Sequence, residues 1–256
     1  RLSQQDSNYL SRFVRPKLRA IASINAESLL KRLEYNPKAL SIERKIKEII
    51  LKSIPEIDSI ILCGSTIQNN FRDYKDIDII VSVKKVIERS LKLELLEKVK
   101  NLGKREGLIL DVQIYSKEAI LEQYSHSPSL IYQLKDSKAI YGKLIVPSKI
   151  ELSSIDLKMK LDWSEGLNIN SDASEIYYAI RNSLLVLLLM NKKVDNCQLR
   201  ENMSSILGID LTVKLKNNGA SKLEKRLALN YLTLLVNYLE SELQNPKWEK
   251  IKIENL

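Results

Sequence analysis

The apolar positions of residues 60–83 form two short continuous runs that are separated by a polar stretch. The first run ends in Gly64 and Ser65, and the second run opens with Asp76 and Asp78. Runs of about four to eight apolar residues bounded by turn-forming residues predict buried strands. Because side chains alternate along a strand, the two aspartates are expected on one face and the intervening apolar side chains on the other.

Helical periodicity dominates the remainder of the chain. Residues 4–54 predict helices interrupted at two prolines, and residues 84–102 predict an amphipathic helix. An apolar run around Asp111 predicts a third strand, and residues 139–146 predict a last one. From residue 170 onward the pattern is wholly helical. One helix there is predicted to carry large apolar residues along one side: Leu223, Leu227, Tyr231, Leu234, Leu235 and Tyr238.

The turn at Gly64 and the pair of aspartates indicate a site for phosphate and a metal ion. Glycine adopts backbone angles that other residues avoid, so Gly64 permits a sharp turn and a close approach to a ligand. A short helix after this turn would direct free N–H groups at an anion. Two adjacent carboxylates repel each other, and Mg²⁺, which favours carboxylates together with substrate phosphates, would relieve that repulsion. The pattern therefore indicates chemistry on a nucleoside triphosphate (NTP).

These motifs resemble the signature of the DNA polymerase β-like nucleotidyltransferase superfamily. The matching residues are Gly64-Ser65, ten intervening residues and Asp76-Ile77-Asp78. The family requires a third acidic residue on a later strand, and Asp111 lies in a suitable apolar run. Residues 139–142, Ala-Ile-Tyr-Gly, resemble the Leu-Tyr-Gly ending of the domain in aminoglycoside and related small nucleotidyltransferases.

The resemblance covers about residues 51–147 and implies an α+β fold with a small mixed β-sheet flanked by helices. We therefore expect a nucleotidyltransferase domain over residues 51–148, preceded by a basic helical extension over residues 1–50. A C-terminal helical bundle is expected over residues 149–256. The sequence departs mildly from the family pattern at Asn69-Asn70, where many members have a glycine, and at Lys75, where a serine is usual.

The resemblance also implies a two-metal reaction on an NTP, expected to be ATP or CTP. Asp76 and Asp78 would hold two Mg²⁺ ions, and Asp111 would complete one of the two sites and take the proton of the attacking hydroxyl. A nucleoside monophosphate would be transferred and pyrophosphate released. The residues expected to bind the nucleotide are Gly64, Ser65, Arg72, Lys75 and, from the C-terminal helices, Arg181.

Basic residues are concentrated near the beginning of the chain. The net charge is +9, and residues 1–52 contain twelve basic and five acidic residues, which is +7 of that total. A local basic excess is typical of a phosphate-rich partner, although the solvated faces of ordinary helices have the same composition. We therefore expect an RNA acceptor, for example a tRNA 3′ end, that is bound through this basic segment.

Three other functions fit the same residues. A protein hydroxyl is an alternative acceptor, as in adenylylating toxin–antitoxin pairs, and would make another protein the partner. An aminoglycoside acceptor is disfavoured by the positive charge, because such substrates are polycations. A catalytically silent nucleotide-binding protein is disfavoured by the presence of all three carboxylates.

The sequence predicts a cytoplasmic protein that has no membrane-spanning segment. The longest apolar run, Leu184–Met190, is too short to cross a bilayer, and the first residues contain no apolar signal segment. Cys63 and Cys197 show neither a metal-binding spacing nor a disulfide framework, which agrees with a reducing compartment.

Overall fold

A four-stranded mixed sheet forms the centre of the first half of the molecule. The computed structural model of the chain describes residues 8–22, 37–68, 71, 74–244 and 250–254. The strands of this sheet are β1 (Ile57–Leu62), β2 (Ile77–Val83), β3 (Leu110–Ser116) and β4 (Lys138–Tyr141). Their order is β3-β2-β1-β4, with β2 and β3 parallel and the other neighbours antiparallel. The predicted α+β class with a small mixed sheet is confirmed.

Helices precede, connect and follow these strands. A π-helical turn at Leu10–Val14 leads into α1 (Arg15–Ala22). The next helices are α2 (Pro37–Ser53), α3 (Gly64–Gln68), α4 (Arg89–Arg105), α5 (Lys117–Tyr124) and α6 (Pro128–Lys135). The C-terminal helices are α7 (Ser154–Leu161), which continues into a 3-10 turn at Asp162–Ser164, α8 (Ala173–Met190), α9 (Asn196–Leu207), α10 (Ile209–Lys216) and α11 (Lys222–Leu243).

Helices α2 and α4 cover one face of the sheet. Ile79 and Val81 of β2 share a buried cluster with Ile46 and Ile50 of α2 and with Val99 of α4. These strand residues belong to the face that the sequence assigns to apolar packing, because they alternate with the aspartates. The predicted alternation along β2 is therefore confirmed.

The C-terminal helices cover the opposite face, to which the carboxylates belong. Ile61 of β1 and Ile80 of β2 share one core cluster with Leu184 of α8 and Leu232 of α11. Since Ile80 and Asp78 lie on the same face of β2, the carboxylate is directed towards the helical half of the molecule. One core thus joins the sheet to these helices, and the predicted domain boundaries stay a prediction.

A second, two-stranded sheet differs from what the sequence pattern predicts. Strand β5 (Lys149–Ser153) pairs antiparallel with β6 (Lys250–Glu254), and the apolar side chains of both strands are buried. The sequence predicts a linker with a short helix over residues 147–170 and helices alone after residue 170, which is wrong at both strands. The partners lie far apart along the chain, and the periodicity of a five-residue segment does not report such pairing.

The predicted last strand is shorter than expected. It ends at Tyr141 rather than at residue 146, because Gly142 turns with a φ of +62°. A Cβ at Gly142 would lie 3.0 Å from the backbone of Asp58 and Ser59, so the turn packs directly on the start of β1. The close contact explains why the chain leaves the sheet at this glycine.

Helix α8 lies at the centre of the core. Among the described helices it alone has the length and composition to cross a membrane, and 61% of it is buried inside the structure. It begins at a capping box in which the Asp172 N–H donates to the Glu175 carboxylate at 3.1 Å. An extensively buried apolar helix is typical of the core of a large domain. The cytoplasmic location stays a prediction.

Candidate active site

The turn after β1 lies directly against the carboxylate of Asp78. The backbone N–H of Cys63 donates to the carbonyl of Asp78 at 2.9 Å, which aligns the end of β1 with the start of β2. Gly64 then turns with a φ of +72°, and a Cβ at this position would overlap the Asp78 carboxylate. Glycine is therefore required for two reasons. It adopts the left-handed backbone conformation without strain, and the absence of a side chain leaves space for the Asp78 carboxylate.

The short helix α3 fixes the entry into β2. The Thr66 hydroxyl donates to the carbonyl of Asp76 at 2.9 Å, and the Phe71 N–H donates to the carbonyl of Thr66 at 2.9 Å. Thr66 is completely buried, so this bond holds the loop without competition from water. The role of Thr66 was not predicted, because an isolated threonine in a polar stretch has no distinctive sequence signal.

Asp78 and Asp111 lie side by side on neighbouring strands. In the parallel pair β2–β3, Asp78 is in register with Asp111, and both alternate with residues of the opposite core. Burial, together with the negative charges of Asp76 and Asp111, raises the pKa of Asp78 to about 6. The Arg181 guanidinium opposes this shift. Asp78 therefore lies within electrostatic reach of Asp76, Asp111 and Arg181, and the roles predicted for these residues stay predictions.

Helix α7 adds a second cation to the one on α8. Burial, together with the positive charge of Arg181, lowers the pKa of Lys160 to about 8. Neither Lys160 nor Arg181 forms a hydrogen bond or ion pair with another side chain in the described part of the protein. Two neighbouring cations without a protein anion of their own are suited to an anionic ligand. Lys160 was not predicted, because only the fold brings α7 next to α8.

A hydrogen bond connects the C-terminal helices to the short helix after the glycine turn. The Arg200 guanidinium on α9 donates to the side-chain carbonyl of Gln68 on α3 at 2.6 Å. These residues are far apart in sequence, and their pairing follows from the packing of the helical half on the sheet. The bond therefore links α9 to α3 where the helical half of the protein meets the half that contains the sheet.

The family model described as polymerase beta, nucleotidyltransferase matches residues 44–141. This segment is similar to a polymerase β-like nucleotidyltransferase domain. The matched segment begins within α2 and ends with β4, so it includes the four strands, the Gly64 turn and all three carboxylates. Arg181 and Lys160 belong to the helices that follow it. No curated protein matches the chain significantly.

The solved structures to which the chain is similar include a spectinomycin adenyltransferase, AAD(9), from Enterococcus faecialis with ATP and spectinomycin. It is 17% identical, the alignment covers 82% of this chain and all of that one, and the TM-score is 0.49. Another is the complex of a tri-AMPylated HEPN toxin with the MNT antitoxin from Shewanella oneidensis. It is 21% identical over 41% of this chain and 73% of that one, with a TM-score of 0.27. These values do not indicate the substrate of this chain.

The carboxylates of the nucleotidyltransferase domain fit a cation that is shared with a phosphate ligand. Within the described ranges, no group of three or more His, Cys, Asp or Glu side chains could hold a metal ion by itself. Burial and the negative charges of Asp76 and Asp111 nevertheless disfavour the ionised Asp78 carboxylate, and a divalent cation would offset both effects. Mg²⁺ is usually bound by one or two carboxylates together with substrate phosphates and water. Asp76, Asp78 and Asp111 are therefore the residues that would hold it.

Three other residues are predicted to bind the nucleotide, and the structure describes two of them, Ser65 and Lys75. Ser65 is exposed in the first turn of α3, next to Gly64. Lys75 is exposed immediately before β2, and Arg72 lies outside the described residues. The roles assigned from the sequence to these residues, as to the carboxylates and Arg181, stay predictions.

Proposed function

We propose that the protein transfers a nucleoside monophosphate from an NTP to an acceptor hydroxyl and releases pyrophosphate. The observation that carries this proposal is the register of β2 and β3, in which Asp78 and Asp111 are neighbours beside the Gly64 turn. A cluster of carboxylates that faces cationic side chains of the C-terminal helices is suited to binding a metal-bound triphosphate.

In the proposed reaction, the acceptor hydroxyl oxygen forms a bond to the α-phosphorus while the bond from that phosphorus to the pyrophosphate breaks. Asp111, which is exposed at its end of β3, accepts the hydroxyl proton. Asp76, Asp78 and Asp111 would hold Mg²⁺, which would supply positive charge to the entering and leaving oxygens. Pyrophosphate leaves as the anion.

Arg181 and Lys160 bind the departing phosphates in this proposal. Arg181 is close enough to influence Asp78, and Lys160 is close enough to influence Arg181. This chain of charges supports a triphosphate that lies between the carboxylates and the two cations. The backbone N–H groups at Gly64 and Ser65 bind the same phosphates from the opposite side.

Replacement of Arg181 by alanine is expected to raise the KM for the NTP by roughly 10- to 100-fold, because a hydrogen bond to a charged group contributes about 1.5–3 kcal/mol. Arg181→Lys should recover part of this loss. Steady-state pyrophosphate release provides the measurement, and Arg226→Ala, which removes an exposed arginine on α11, is the matched control. An unchanged KM in Arg181→Ala would exclude Arg181 from the nucleotide site.

We propose RNA as the acceptor, with the described N-terminal helix as part of its binding surface. Arg12 and Arg15 are exposed there next to the exposed aromatic rings of Tyr9 and Phe13, whose centroids are 5.4 Å apart. Cations that bind phosphates and aromatic rings that stack on bases are the two components of single-stranded nucleic-acid binding.

Incubation of the protein with Mg²⁺, total RNA and each α-labelled NTP in turn is expected to label the RNA. EDTA should abolish the label. The Asp76→Asn variant, purified in the same way, should abolish it too, which excludes a contaminating polymerase. A double variant, Arg12→Glu with Arg15→Glu, should weaken RNA binding and reduce its dependence on salt. Label in protein instead of RNA would overturn the RNA acceptor and support protein modification. Label in no pool, with any nucleotide, would overturn the transfer reaction itself.

A further inference from the structure

The last long helix, α11, is apolar on two faces, and only one of them packs against the protein. The inner face contributes Ala228, Leu232, Leu235, Leu239 and Leu243 to the core. The outer face presents four large apolar side chains, and their exposed fractions are 68% for Leu223, 57% for Leu227, 71% for Leu234 and 53% for Tyr238. We call these four residues the outer stripe. No described residue of the chain covers them.

The outer stripe has a symmetric spacing. Its members follow one another at intervals of four, seven and four residues, so all four lie along one side of an α-helix. The same spacing is obtained when the stripe is followed from either end. A second copy of the helix that runs in the opposite direction would therefore set Leu223 opposite Tyr238 and Leu227 opposite Leu234.

We propose that the outer stripe is the interface of a symmetric dimer, in which α11 packs antiparallel against α11 of a second copy of this chain. A two-fold interface uses the same patch on both subunits, which must then be complementary to itself. The symmetric spacing of the stripe meets that requirement.

The charges that flank the stripe favour the antiparallel direction. The first turns of α11 have a basic excess: Lys222, Lys225 and Arg226 accompany one acidic residue, Glu224, which pairs with Lys214. Glu240 and Glu242 lie in its last turns, which contain no basic residue. In an antiparallel pair, each basic end lies beside the acidic end of the other copy. In a parallel pair, like charges would meet at both ends, which is unfavourable.

The length of the stripe suits a modest interface. From Leu223 to Tyr238 a helix rises by roughly 24 Å. One helix pair of this length lies at the small end of the roughly 1,200–2,000 Å² that specific interfaces bury. We therefore expect a reversible dimer with a dissociation constant in the micromolar range.

Sedimentation velocity of the full chain over a concentration series is expected to show a monomer–dimer equilibrium. Leu234→Asp should shift the protein to the monomer at every concentration, because a charge in the middle of the stripe cannot be buried without a partner. Ile209→Asp is the matched control, since Ile209 is 74% exposed on α10 and is not a member of the stripe. Thermal melting of both variants verifies that each is folded.

Cysteine cross-linking tests the direction of the helices. In a Cys197→Ser background, which removes the exposed thiol, a mixture of Leu227→Cys and Leu234→Cys chains should form the mixed disulfide. Neither variant alone should cross-link well, because identical positions are separated along the axis. A monomer at all concentrations would overturn the dimer, as would a dimer that Leu234→Asp leaves intact. Cross-links between identical positions in place of the mixed one would overturn the antiparallel arrangement.

Discussion

An Asp78→Asn variant is expected to lose nucleotidyl transfer and to melt at a higher temperature than the unchanged protein. The amide removes a negatively charged oxygen at the centre of the carboxylate group, so we expect kcat to fall on the order of 10³-fold or more. The gain in stability arises because burial, Asp76 and Asp111 all disfavour the ionised side chain in the folded state and raise its pKa to about 6. Asparagine has nearly the same shape and no charge.

The direction of the pH dependence follows from this shift. Asp78 titrates near 3.8 in the unfolded chain and near 6 in the folded protein, so the folded protein binds the proton more tightly. The stabilising contribution of the protonated group is fully present below about pH 4 and is lost as the pH rises through 6. The difference in Tm between the variant and the unchanged protein should be small at pH 4. It should reach about 2–4 °C above pH 7, or about 1 kcal/mol after allowance for solvent screening.

Scanning calorimetry in EDTA across this pH range provides the measurement. Asp162→Asn is the matched control, because Asp162 is an exposed carboxylate on the helical half and should affect neither activity nor stability. Addition of Mg²⁺ with a non-hydrolysable NTP should raise the Tm of the unchanged protein more than that of the variant, because a ligand stabilises the folded protein that binds it. The difference in Tm between the two proteins should therefore become smaller. A variant that retains turnover, or that melts at a lower temperature across the range, would contradict the proposed role of Asp78.

The parts of the site that were predictable from the sequence depend on local geometry. The alternation of β2 sets Asp76 and Asp78 on the face opposite Ile79, and the isolated Asp111 in an apolar run occupies the corresponding face of β3. Only the strand pairing was missing, and the resemblance to the nucleotidyltransferases supplied it. A period of two residues and a glycine turn are properties of short segments, so they are visible without a structure.

The parts that were not predictable depend on contacts between distant segments. Lys160 approaches Arg181 only because α7 packs on α8, and Arg200 meets Gln68 only because α9 lies over α3. Strand β5 likewise requires β6 from the other end of the described chain. None of these pairings leaves a periodic signal in either partner segment.

Helix α11 illustrates a different limit of sequence patterns. The predicted apolar side of this helix contains Leu223, Leu227, Leu234 and Tyr238, yet these four residues are exposed. The core is formed by the neighbouring face, with Leu232 and Leu239. A helix that is apolar on two faces does not reveal which face packs inside the same chain.

A Gly64→Ala variant is expected to lose both stability and turnover, whereas Gly107→Ala should lose much less. Both glycines have a φ of +72°. A Cβ in this left-handed region costs about 1–2 kcal/mol, so the two variants share the same backbone cost. They differ in their surroundings. A Cβ at Gly64 would overlap the Asp78 carboxylate and lie 3.0 Å from its Cγ, whereas a Cβ at Gly107 would have nothing within 4 Å.

The contact at Gly64 therefore requires the Asp78 carboxylate to rotate or the turn to open. Either movement displaces Asp78 relative to the N–H groups that bind phosphate, and a displacement of about 1 Å can reduce kcat on the order of 10²-fold. Gly107 connects α4 to β3 far from this contact, so Gly107→Ala should lose stability alone. Parallel measurements of Tm and pyrophosphate release on the two variants isolate the steric effect. Equal losses of activity in the two variants would contradict the steric effect at Gly64, because the backbone strain that both variants share would then account for both losses.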